Sequence, residues 1–109
     1  LLQERKEYET ASNLLNKAIV LGEKYKEVKD LLRAYLTMGQ VQLENENNGQ
    51  AMDYFQKART LAMENQLPTF AYEATFQIAK VYQMIDSDKF IACTVEMYEM
   101  QMEMNSIEQ

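Results

Sequence analysis

Few side chains in this sequence could carry chemistry. Histidine is absent, and the only cysteine is Cys93. A thiol nucleophile needs a base beside it, most often histidine. Cys93 therefore reads as a small buried apolar residue. Carboxylates occur in close pairs, Glu44 with Glu46 and Asp86 with Asp88. Such pairs could serve acid/base chemistry or hold calcium. A calcium-binding loop combines a glycine at its sixth position with a glutamate at its twelfth, and neither pair is followed by that combination. Helix capping accounts for Asp86 and Asp88. The three glycines, Gly22, Gly39 and Gly49, are too scattered to form a phosphate-cradling loop. The expectation is a protein that is not an enzyme, with no catalytic residues, no metal and no cofactor.

What remains must act through surfaces. The chain has 109 residues, enough for one domain. Acidic residues number 17 against 11 basic ones, for a net charge of −6. Lys and Arg are dispersed, which argues against nucleic acid and anionic membrane as partners. No apolar run reaches the ~18 residues a membrane span needs. The charged stretch Gln3-Glu4-Arg5-Lys6-Glu7 stands where a secretory leader would be apolar. A single unpaired Cys93 suits a reducing compartment, so a cytoplasmic location is expected. The sequence opens on Leu1-Leu2, so residues 1–109 are expected to be a single domain from a longer protein, with those two leucines the stump of a preceding helix.

Helices must position those surfaces. One proline, three glycines and many Leu, Met, Glu, Gln, Lys and Ala residues indicate an all-α chain. Turn signals fall at Asn45-Glu46-Asn47-Asn48-Gly49, at Gln66-Leu67-Pro68 and at Asp86-Ser87-Asp88, while Gly22 is a weak break. In the first of these, Asn and Gly are the residues expected to tolerate the left-handed region. Between the breaks apolar residues recur at helical spacing, as in Tyr8, Ala11, Leu15, Ala18 and Leu21. The pattern predicts helices at about 6–24, 28–45, 48–65, 68–85 and 88–104. Short connections of two to five residues make consecutive helices antiparallel.

A shift of forty residues aligns the chain with itself. Ala11, Leu15, Ala18 and Leu21 fall on Ala51, Phe55, Ala58 and Leu61, and a second shift brings Ala51, Phe55 and Ala58 onto Ile91, Val95 and Tyr98. Ala34, Leu36, Met38, Gly39 and Val41 likewise fall on Ala74, Phe76, Ile78, Ala79 and Val81. A fixed period with two helices per unit is the mark of a helical solenoid. Within the unit, Tyr35, Met38-Gly39 and Gln42, followed by Ala51, Phe55 and Ala58, resemble the tetratricopeptide repeat. The next unit, with Thr75, Ile78-Ala79, Tyr82, Ile91, Val95 and Tyr98, departs from it where Ile91 and Tyr98 replace small residues. The period of forty also exceeds the family's thirty-four. Elongated units of this kind are similar to those of peptide-sensing bacterial regulators and some scaffold proteins.

The resemblance implies a fold and a use. The fold would be a superhelical solenoid of antiparallel helix pairs with about five helices, in which Phe55 is buried beside Gly39. The inner, concave face would be lined by the first helix of each pair, here Arg33, Leu36, Gln40, Leu43 and Glu44, then Glu73, Phe76, Lys80 and Gln83. That face would hold a peptide or helix of a partner protein, which makes the chain a non-catalytic protein–protein interaction scaffold. The alternative is a peptide-sensing or oligomerisation region of a larger bacterial regulator of the transcription-factor type. The last helix is apolar on more than one side, through Ile91, Cys93, Val95, Met97, Tyr98, Met100, Met102, Met104 and Ile107. Among these, Met97, Met100, Met102 and Met104 are expected to contact further repeats or a second copy of the chain in a homodimer.

Overall fold

The computed structural model describes residues 2–108, with side chains for residues 4–106. The expectations for Leu1, Leu2 and Ile107 lie outside the described residues or side chains. The described residues are 91% helical, and no strand occurs among them. Five helices follow one another: α1 (Leu2–Tyr25), α2 (Val28–Glu44), α3 (Asn48–Glu64), α4 (Pro68–Ile85) and α5 (Ser87–Glu108). All five match the periodicity, but α1 begins at Leu2, ahead of the expected 6, and α5 runs to Glu108, beyond the expected 104.

Three of the four turns share one backbone solution at intervals of twenty residues. Lys26, Glu46 and Gln66 have φ of 56°, 63° and 55°, the left-handed conformation. In each case the next residue reaches back five positions. The N–H of Glu27 donates to the carbonyl of Gly22 at 3.0 Å, that of Asn47 to Gln42 at 2.8 Å, and that of Leu67 to Ala62 at 2.9 Å. This is the Schellman closure, which satisfies carbonyls that a helix end would leave open. The inner bond of the motif is present as well, from Glu46 to Leu43 at 3.0 Å and from Gln66 to Met63 at 3.3 Å. The left-handed residue is thus Glu46 and not one of the neighbouring Asn or Gly residues, because Asn48 and Gly49 already belong to the first turn of α3.

The fourth turn breaks the series. Asp86, twenty residues after Gln66, is extended (φ −156°, ψ 97°) and is the only residue between α4 and α5. It caps α5: its Oδ1 accepts from the N–H of Lys89 at 3.1 Å. Asp88 follows in the first turn, where a carboxylate suits the positive end of the helix.

The chain forms two compact units, Leu1–Tyr54 and Phe55–Gln109, whose boundary falls within α3. In the first unit α1 packs on α2. Gly22 allows a close approach there: a Cβ at this position would lie 3.2 Å from Leu31 Cβ, so that a larger residue would push Leu31 aside by a few tenths of an ångström. Leu31, Leu32, Ala34, Tyr35, Leu36 and Met38 supply the buried side of α2. A polar knot closes the end of this pair. Tyr8 donates to Gln42 Oε1 at 2.8 Å, and Asn47 Nδ2 donates to the same oxygen at 2.9 Å. Tyr35 donates to Glu23 at 3.0 Å and its ring lies 6.3 Å from that of Tyr54.

In the second unit α4 packs on α5. Phe55, Ala58, Ala62, Ala71, Ala74, Ile78, Ala79 and Val81 are its buried apolar residues beside Thr75. Thr75 returns its hydroxyl to the carbonyl of Ala71 at 2.8 Å. Arg59 ties three helices together. Its Nε donates to Thr75 Oγ1 at 3.2 Å, and its terminal nitrogen pairs with Glu96 of α5.

Candidate interaction surfaces

The residues of the expected concave face separate by environment. On α2, Arg33 and Glu44 are exposed, Gln40 and Leu43 are half-buried, and Leu36 is buried. Arg33 pairs with Asp30 one turn earlier at 3.2 Å. Leu36 is part of the apolar stripe that α2 turns inward, so it is not available to a ligand. On α4, Glu73, Phe76, Lys80 and Gln83 are all exposed. Their spacing of three, four and three places them in one row along the helix. Phe76 is 44% exposed, and the Lys80 ammonium stands 5.7 Å from its ring centroid. The arrangement is an aromatic platform with a cation over it and a carboxylate and an amide along the same row. It can take up an apolar side chain flanked by polar groups.

The α5 surface differs from expectation in its rotation. Phe90, Cys93, Met97, Met100 and Met104 are half-buried on one side of the helix. On another side Ile91, Val95, Tyr98 and Met102 are 57%, 54%, 68% and 53% exposed. Of the four methionines expected as a contact surface, only Met102 lies on the open stripe. The forty-residue alignment pairs this stripe with Ala51, Phe55, Ala58 and Ala62 of α3, each 0% exposed. The equivalent positions are therefore core in α3 and surface in α5. The connection differs as well: a one-residue extended link stands before α5, where α3 and α4 are each preceded by a three-residue turn with a left-handed residue.

Cys93 is a free thiol on the half-buried side. Burial pushes its pKa up, against the opposing pull of the Arg59 charge. A thiol held in that direction keeps its proton and is a poor nucleophile. Among the described residues no group of three Cys, Asp or Glu side chains is placed to hold a metal. Glu44 ends α2 and Glu46 occupies the following turn.

One further surface escaped the sequence reading. Leu14, Leu21 and Tyr25 of α1 are 61%, 54% and 63% exposed and lie on one side of the helix with Ala18. Leu21, Tyr25 and Ala18 border an open depression of about 450 Å³ that Gly22, Glu27 and Asp30 also line. The spacing of seven between Leu14 and Leu21 was the available signal, but Leu15 and Ile19 compete with it for the inward side. No helix is long and apolar enough to cross a membrane among the described residues. No protein-family model matches this chain, and no curated protein or solved structure does either.

Proposed function

We propose that the chain is a non-catalytic interaction module built on tetratricopeptide-like helix pairs, holding a peptide or helix of a partner protein. Two features support the repeat reading: helix starts at residues 28, 48 and 68, and Schellman turns at the same interval of twenty. In that reading α2 with α3, and α4 with α5, are the helix pairs, and the row on α4 is the face that meets the partner. The observation that carries the binding role is Phe76, an aromatic ring 44% exposed between Glu73 and Lys80. Aromatic anchors ringed by polar groups supply much of the energy of protein interfaces.

A photo-crosslinking residue in place of Phe76 tests this in extracts of the source cells, with the same residue in place of exposed Thr60 as the comparison. The expected result is a discrete protein adduct at position 76, absent at position 60 and weakened by Lys80→Glu. Equal labelling at both positions, or none at position 76, refutes the assignment.

A second reading, oligomerisation within a larger regulator, is favoured by the open stripe on α5.

A further inference from the structure

We propose that the open stripe of α5 is covered by α5 of a second copy of the chain, running antiparallel about a two-fold axis. The proposal rests on the reading of the chain as an interaction module, and it names the occupant of one surface.

The stripe has the spacing of a helix–helix seam. Asp88, Ile91, Val95, Tyr98, Met102 and Asn105 follow one another at intervals of three, four, three, four and three. The four central residues are apolar and each is more than half exposed. They stand opposite a second apolar side that is already half-buried. A helix with two apolar sides needs two partners, and within its own unit α5 is engaged on one side.

The order of residues favours a copy of itself in the reverse direction. With the axis between Glu96 and Met97, Ile91 meets the partner's Met102 and Val95 meets the partner's Tyr98. The same operation sets Asp88 against the partner's Asn105, whose amide can donate to the carboxylate. A parallel pairing in register would instead place Asp88 against Asp88 and Glu99 beside Glu99. Glu99 and Glu103 add negative charge to the C-terminal half of α5, while Lys89 turns toward Tyr82 of α4. Antiparallel pairing brings the acidic half of each helix toward the positive N-terminal end of the other. A two-fold arrangement also closes on itself, as most homo-oligomers do.

Sedimentation equilibrium on the whole chain and on Val95→Glu and Tyr98→Glu provides the first test. The expected result is a dimer of the unchanged chain and monomers of both variants with undiminished helical circular dichroism. Both positions are exposed, so neither change burdens the fold of a single copy. Direction is read by cysteines in a Cys93→Ser background. Ile91→Cys combined with Met102→Cys should form an interchain disulfide on mild oxidation. Ile91→Cys alone should not, because its two copies would stand about 16 Å apart along the axis. A monomer at high micromolar concentration overturns the proposal, as does a dimer indifferent to both glutamates. A disulfide from Ile91→Cys alone overturns the antiparallel direction. Mass growing beyond two copies, and reduced by Leu21→Glu on α1, indicates head-to-tail stacking and overturns the two-fold. Crosslinking at position 76 reads the partner site separately, so either assignment can fail without the other.

Discussion

Tyr35 combines a buried ring with an acid for a neighbour. The residue is 8% exposed and donates to Glu23. Burial first, and then the Glu23 carboxylate, pushes the phenol up to about 12 from its ordinary value of 10.0. The consequence for stability has a definite sign. Below the ordinary value, the folded and unfolded chains both hold the proton. Above it the unfolded chain ionises while the folded chain retains the proton. The stabilisation is thus complete below about pH 10 and is lost as pH rises toward about 12. Tyr35→Phe should remove that part of the alkaline decline. The check is a set of denaturant melts across this window: the difference between the parent chain and the variant should shrink with rising pH. A constant difference would mean that the phenol does not stay protonated in the fold. Gln42 teaches a related lesson. It is 5% exposed and accepts from both Tyr8 and Asn47. A buried amide oxygen that accepts two hydrogen bonds holds the α1–α2 pair and the following turn together.

At the scale of elements, the turns distinguish the regular part of the chain from its exception. Lys26, Glu46 and Gln66 carry side chains in the left-handed region, which costs a non-glycine residue about 1–2 kcal/mol. Glycine avoids that cost and returns part of the gain through the greater freedom of its unfolded chain. Glu46→Gly and Gln66→Gly should each raise stability by about 1 kcal/mol in denaturant melts. Asp86→Gly should do the opposite, because Asp86 is not left-handed and its carboxylate caps α5. Loss of a capping side chain costs about 0.5–2 kcal/mol against alanine and less against glycine, so Asp86→Ala gives the clearer reading. Stabilisation by glycine at position 86 would contradict the assigned turn.

At the scale of the molecule, small residues dominate the buried positions. Ala51, Ala58, Ala62 and Ala74 are 0% exposed, and Phe55 is the largest of the fully buried side chains. Where alanines line the packing, one ring fills much of the volume between helix backbones. Phe55→Ala should cost about 3–5 kcal/mol in denaturant melts. A loss under about 1 kcal/mol would show that the site collapses around the smaller residue or that Phe55 is not packed as described. Gly39, expected next to it, is also buried.

Local chemistry determined where the connections between the five helices fall, whereas the start of α1 and the end of α5 extend past the expected bounds. Pro68, the Asn-rich stretch before Gly49 and the Asp86–Asp88 segment interrupt an otherwise uniform helical composition. The resulting bounds need nothing from distant residues. Shared faces were also legible, because spacings of three and four define them whatever lies opposite. Which face is covered was not legible where a helix has apolar residues on two sides. Leu36 and Phe76 are equivalents in the forty-residue alignment, yet the first is buried and the second open. On α5 the rows of Ile91 and Phe90 are both apolar and lie on roughly opposite sides of the helix, and composition does not distinguish them. Only the packing of α4 on α5, with Arg59 reaching Glu96, selects which row faces inward.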